Sequence, residues 1–411
     1  VDPGSTNRFA IDEYAHDTFA TGAHRYPAFV PVTKAAVWDS IIVGSSPLLL
    51  IEAIYLGRTG RKVLVLEANG QLGGAWGRLD TKEFPYLDIG CHYWDISQRA
   101  YEFLRSKIGL DLVPFRPQPQ FAYRDILFPY DYKQAIRVIR DLKTVFKRRS
   151  LAPFVSNMLR YEYYRPRIFP FTKTFLFPQG GSHELMTRLT AHAQENNVTI
   201  LKLMRVGSIR FNFKRKRVQV SAGGESFEGN EIVAGSQTQI ADALHITPRP
   251  EGTLRRVYTH VNLVVRDRSA PTFSYIRFLH HHAVIRMTDI TDHVRHRNKD
   301  LTGHRVICIG IRDTYDKSVD DPEKVEQLLA LLKKYCFVDP SAKCERSYWS
   351  RYPAEFLSDE TQKMLQRDFS PMIRLFPTTN FSVGIVSNLS RWEHAFVPQP
   401  DLHEVSQSLK E

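Results

Sequence analysis

Cysteine is scarce in this chain, with four in 411 residues at positions 91, 308, 336 and 344 and no CxxC spacing. That argues against a disulfide framework and a cysteine-built zinc site, and a reducing cytoplasm is the expected location. Long apolar runs are missing as well: the stretch from Ile41 to Leu56 is too short for a bilayer span and divides into strand plus helix, so no transmembrane segment is expected. No charged-then-apolar secretory pattern opens the sequence. Acids are outnumbered, 44 against 56 Lys plus Arg, and the formal charge of +12 favours an anionic ligand or surface. The excess is scattered, with two runs, KTVFKRR at 143–149 and KRKR at 214–217. The second lies between alternating stretches and reads as a solvated hairpin turn, so no nucleic-acid partner is expected. The first, with Val138, Leu142 and Phe146 as an apolar stripe, reads as a solvated helix face in preference to a peripheral membrane contact. A chain this long exceeds one compact core, and two interleaved domains are expected.

Glycine is missing where a nucleotide-binding turn usually has it. Residues 39–78 (DSIIVGSSPLLLIEAIYLGRTGRKVLVLEANGQLGGAWGR) read as strand, tight turn, helix and a second strand ending in an acid, the dinucleotide-binding βαβ pattern. In place of GxGxxG stands Gly44-Ser45-Ser46-Pro47-Leu48-Leu49. Ser46 replaces the glycine that lets backbone approach a pyrophosphate, and Leu49 the one that packs helix against strand. A serine hydroxyl can itself bond phosphate, Pro47 suits a first helical turn, and the helix N-terminus offers its dipole and free amides. Glu67, 23 residues beyond Gly44, stands where a carboxylate accepts hydrogen bonds from an adenosine ribose. From the turn alone, a cofactor site and a plain βαβ core both remain open.

The segment after Glu67, Ala-Asn-Gly-Gln-Leu-Gly73-Gly74-Ala75-Trp76-Gly77-Arg78, resembles the second glycine motif of the FAD-binding group containing amine oxidases, protoporphyrinogen oxidases, carotenoid desaturases and UDP-galactopyranose mutases. Three further segments match that group in order: Asp88-Ile-Gly90-Cys-His92, Phe177-Pro178-Gln-Gly180-Gly181, and Glu228 to Gly235. The resemblance spans most of residues 38–405. It implies an α/β, or α+β two-domain, fold: a Rossmann-like FAD-binding domain with a parallel sheet, interleaved with an antiparallel-sheet substrate domain. The expected boundaries are 1–37 for an N-terminal arm, 38–112, 175–245 and 380–411 for the FAD domain, and 113–174 and 246–379 for the substrate domain. FAD is the implied cofactor. Its implied contacts are Gly44, Ser45, Ser46, Pro47, Glu67, Gly73, Gly74, Ala75, Trp76, Arg78, Val206, Gly235, Asn388, Asp401 and Val405.

His92 is the implied neighbour of the flavin ring, as acid/base or to hold ring position; a buried structural histidine is the alternative. Arg286 stands at the place where the resemblance to the mutases implies a "T-R" that reaches flavin and substrate diphosphate, and the alternative is a surface ion pair. Asn388 stands where a mutase arginine would be, and Asp401 would open the closing helix. His280, His281 and His282 invite a metal, yet only His280 and His282 share a strand face and no carboxylate or cysteine stands at ligand spacing, so no metal site is expected. The aromatic stretch 161–171 fits core or interface better than a substrate cleft. Elsewhere, Ser182 is expected to cap a helix through Ala193, and Asp321 to Lys334 reads as an amphipathic core helix. The leading reading is an FAD-dependent oxidoreductase-type enzyme acting on a small, possibly anionic metabolite in an interdomain cleft. The alternatives are a mutase-like flavoenzyme acting on a nucleotide sugar, and a scaffold that kept the fold and lost the flavin.

Overall fold

A computed structural model of the protein describes residues 37–79, 81, 84, 87–90, 94, 96–115, 119–123, 126–129, 175–235, 237–245, 253–267, 275–278, 283–295, 301–313, 322–357, 359–369, 372–376 and 381–396. The candidates His92, Asp401 and Val405, the histidines 280–282, the basic run 143–149 and the aromatic stretch 161–171 lie outside them.

The first strand, Val37–Val43, is central in a seven-stranded sheet. On one side it pairs in parallel with the second strand, Val63–Leu66, which pairs with Val198–Leu201. On the other it pairs in parallel with the return strand, Glu225–Ala234, bringing Val43 opposite Ala234. The chain leaves and rejoins this sheet, as the order of motifs implied. The outer edge of the return strand is shared: its first half pairs with the antiparallel hairpin Val206–Asn212 and Arg217–Ala222, and its last residues pair in parallel with the closing strand, Ile373–Leu375. The closing strand therefore belongs to the nucleotide-binding sheet, whereas the sequence boundary had put residues up to 379 in the other domain.

Pro47–Arg58, the first helix, buries ten of its twelve residues. Its leucines and isoleucines occur on every side, so it needs partners all round. These are the sheet, the helix Gly181–Glu195 and the closing helix Phe381–Ala395, with one continuous core running through Leu50, Ile54, Leu185, Leu189, Leu389 and Trp392.

A second seven-stranded sheet is antiparallel except where Tyr275–Phe278 runs parallel to Pro119–Tyr123. Its longest pairing joins Thr253–Arg266 to Lys343–Leu357. One face, with Val261, Leu263, Ile276, Met287 and Ile309, packs on the helix Pro322–Lys334. Period-two alternation therefore leaves the other face for His260, Asn262, Arg286 and Thr288. A separate buried network sits near the rim, where Arg305 donates to Asp289 and Asp267 at 2.8 Å each and to the Phe337 carbonyl at 2.6 Å.

One local expectation changes. Ser182 lies inside its helix and Gly180 is the N-cap, because the backbone N–H of Ser182 donates to Asp88 Oδ1 at 3.1 Å. The last described helix, Phe381–Ala395, runs through Asn388, with Ile385, Leu389 and Trp392 as a buried stripe against the core, and the helix expected to open at Asp401 lies outside the described residues.

Candidate cofactor and substrate site

The carboxyl ends of the parallel strands bring the two glycine turns together. Gly44 has φ 97° and Gly73 φ 104°, both in the region that favours glycine, so each turn depends on the residue it kept. Ser45 joins them. Its buried hydroxyl donates to Glu67 Oε2 at 2.5 Å and accepts from the Gly73 N–H at 3.0 Å. Glu67 Oε1 accepts from Asn69 N at 2.9 Å and Asn69 Nδ2 at 3.0 Å, so the buried carboxylate is fixed at the end of its strand.

Ser46 is the N-cap of the first helix but makes no capping hydrogen bond, and its buried Oγ has no partner. The first turn thus keeps amides without a capping side chain beside an unused hydroxyl, an arrangement suited to phosphate. Leu49, at the third glycine position, turns its Cδ1 to within 3.4 Å of where a Gly44 side chain would begin. It fills the turn from the helix side, so this substitution alters packing and leaves the opposite side of the turn unchanged.

The other candidates distribute as follows. Gly74, Ala75 and Trp76 form a short helical turn, with the Trp76 ring tilted against Trp94 at 5.8 Å, and Arg78 pairs with Asp88 in a two-residue ladder. Gly235 follows the return strand beside Gly44. Val206 is buried at the start of its strand, just after Met204 N–H donates to the Glu67 carbonyl at 2.8 Å. Asn388 is turned into its own helix, donating to the Gly384 carbonyl at 2.9 Å and accepting from Arg391 at 3.3 Å.

Sequence reading missed Glu52. This fully buried acid on the first helix accepts from Arg374 at 2.6 Å, from Arg391, and from the Trp392 indole at 2.8 Å. Arg391 also lies over the Tyr55 ring at 4.8 Å. The acid thus fastens closing strand and closing helix to the nucleotide-binding helix. Its signal was present: one charge in an otherwise apolar helical run needs a buried partner.

The second sheet turns its polar face to the Asp88–Gly90 segment. Asn262 Nδ2 donates to the Asp88 carbonyl at 3.1 Å, and Ser350 Oγ donates to the Ile89 carbonyl at 3.2 Å. Buried Asn262 Oδ1, Thr288 Oγ1 and Ser182 Oγ find no partner among the described residues. Arg286 stands opposite Gly310, which is in turn opposite His260. A Cβ on Gly310 would lie 3.2 Å from Arg286 Cγ and 3.7 Å from His260 Cδ2, so the missing side chain is what lets the arginine lie across the strand beside the histidine. Arg277 is paired directly with Arg286 on the next strand and shares this face.

A parallel sheet with two linked glycine turns, a fixed acid and an uncapped helix start, facing a polar antiparallel sheet, defines a two-domain dinucleotide-binding flavoprotein fold. The comparisons with known proteins agree. The chain belongs to the FAD dependent oxidoreductase family, which it matches over residues 50–382. The cofactor of that family is FAD, and the residues at the strand ends fit it. Among solved structures, reduced UDP-galactopyranose mutase superposes with a TM-score of 0.66 at 12% identity, covering 88% of this chain and 97% of that one. Cyclohexylamine oxidase from Brevibacterium oxydans gives 0.62 at 13% identity, with 88% and 99% covered. At such identities the likeness is one of fold. The flavin-containing monooxygenase FMO GS-OX3 of Arabidopsis thaliana is 25% identical over 126 residues, 29% of this chain and only 27% of that protein's length. No helix among the described residues is long and apolar enough to cross a membrane.

Proposed function

We propose that the protein is an FAD-dependent oxidoreductase acting on a small anionic metabolite between the glycine turns and the polar face of the second sheet. The observation that supports this most is the Ser45 bridge, which ties the Gly73 turn and the Glu67 carboxylate together where a dinucleotide crosses strand ends. In this reading Glu67 accepts hydrogen bonds from the adenosine ribose, and its charge disfavours a 2′-phosphate there. The free amides of the first helical turn and the Ser46 hydroxyl would hold the pyrophosphate. FAD held there would supply the two-electron redox chemistry that the side chains lack, with an external oxidant as the final acceptor. Arg286, held across Gly310, orients an anionic substrate group, and His92 keeps its candidate role beside the ring. The test is spectral: purified protein should be yellow or take up added FAD, and anaerobic mixing with a reducing substrate should bleach the flavin band. Colourless protein that binds no FAD would leave the scaffold reading.

The registered pair Arg277 and Arg286 favours a second reading, a mutase-like reaction on a nucleotide sugar. Two guanidinium groups on one sheet face suit a diphosphate, which joins them through bidentate contacts. If a diphosphate does so, Arg286→Lys loses bidentate geometry and should weaken uridine diphosphate binding about tenfold, roughly 1.4 kcal/mol, with FAD content unchanged. Calorimetry showing no nucleotide binding by the wild type at low salt would end this reading.

A further inference from the structure

The hairpin at the outer edge of the nucleotide-binding sheet ends in a tip that the cofactor reading leaves unused. Phe213, Lys214, Arg215 and Lys216 form its turn and are all exposed, Phe213 with 59% of its surface in solvent. The tip is held firmly. Asn212 Oδ1 accepts from the Arg215 N–H at 3.1 Å, and Lys216 adopts φ 51°. The Phe213 ring leans on Phe211 at 5.8 Å, which packs on Phe369 at 4.9 Å. Arg217 is engaged by Asn230 and lies 3.9 Å from Glu228. The side chains of Lys214, Arg215 and Lys216 have no ion-pair partner among the described residues.

We propose that this tip docks the protein on an anionic lipid surface. Three cations with no ion-pair partner among the described residues directly follow an aromatic ring that keeps 59% of its surface in solvent despite its contact with Phe211. That combination matches the bilayer interface, where basic groups meet lipid phosphates and carboxylates while an aromatic ring enters the headgroup level. The net charge of +12 adds long-range attraction to the same surface. Other macromolecules fit less well. A stable protein partner needs roughly 800 Å² on each side, far more than one turn offers. Single-stranded nucleic acid follows a basic groove with successive stacking rings, whereas these cations sit on a protruding turn with one exposed ring.

The test is co-sedimentation of the full chain with vesicles of phosphatidylcholine containing about one-third phosphatidylserine, beside vesicles of phosphatidylcholine alone. The wild type should bind the anionic vesicles only, and salt should release it. Each cation contributes about fivefold, so K214A/R215A/K216A should lose about a hundredfold in partitioning, and Phe213→Ser about tenfold. All four positions are exposed, and unchanged melting temperature and FAD content would confirm that the variants are folded. Absence of wild-type binding, or binding that survives the triple substitution, would overturn the proposal. So would binding to polyuridylate in place of vesicles, insensitive to Phe213→Ser, which would make the tip a nucleic-acid contact.

Discussion

Ser45→Ala removes a hydroxyl that serves two partners. Glu67 loses its shortest hydrogen bond, at 2.5 Å, and the Gly73 N–H loses its acceptor at 3.0 Å. A hydrogen bond to a charged group contributes about 1.5–3 kcal/mol, and a buried donor left unmade costs about 1–3 kcal/mol. Alanine leaves no appreciable cavity, so the effect is polar. Asn69 still holds Glu67 through Oε1, so the carboxylate is loosened and not released. If half or more of the lost energy is expressed in the cofactor site, FAD affinity should fall between about tenfold and a hundredfold. Titration of apoprotein with FAD, followed by flavin fluorescence, should be done on Ser45→Ala, Glu67→Gln and the double variant. A coupling energy of about 1.5 kcal/mol is expected, since the two residues act through one bond. Effects that add to within about 0.5 kcal/mol, or wild-type affinity in folded Ser45→Ala, would show that the bridge does not order the site.

Three further outcomes follow from other contacts. Glu52→Gln keeps the shape but removes the charge facing Arg374 and Arg391; because these are 29% and 36% exposed, the usual penalty for breaking a buried pair is reduced to about 2 kcal/mol. It should appear as a lower melting temperature and faster hydrogen exchange across residues 381–395, and unchanged exchange there would refute the fastening role. Ser46→Ala deletes a hydroxyl with no partner, so the apoprotein should be as stable as wild type or more so, while FAD binding should weaken about tenfold; unchanged FAD affinity would remove the hydroxyl from the phosphate site. Burial pushes the Cys344 thiol up to about 11, so at neutral pH its thiolate fraction is about a hundredfold below that of an ordinary thiol. Iodoacetamide should label exposed Cys336 well before Cys344, and equal rates by peptide mass spectrometry would contradict the burial.

The nucleotide-binding half was legible because its signals are local. The apolar runs at 41–43 and 63–66, Pro47 at a helix start and an acid at the second strand's end each lie within a few residues of the feature they specify. The KRKR turn was equally plain from alternation on both sides. The helix Phe381–Ala395 went unread for a different reason: the spacing of Ile385, Leu389, Trp392 and Phe396 is a helical stripe, but it is interrupted by Gly384, Ser387, Asn388 and Ser390, residue types that favour turns. Ser182 looked like a cap by residue type, but its amide was claimed by Asp88, far away in sequence. The arrangement of Arg286, Gly310, His260 and Arg277 could not be read at all. It depends on strand register, and the irregularity between Val284 and Arg286 shifts which residues face the site.

The contacts of Glu52 also constrain how the protein can be made. Arg374 and Arg391 reach it from 322 and 339 positions further along the chain. The ribosome therefore delivers the βαβ unit well before these partners, with an almost wholly apolar helix whose flanking elements do not yet exist. Until the closing strand and helix emerge, that helix carries a charge without its counter-ions and one uncovered apolar side. Over the more than three hundred residues that separate these partners, the nascent chain must keep this surface open to holding chaperones or to aggregation, and the cofactor domain can be completed only once both have been made.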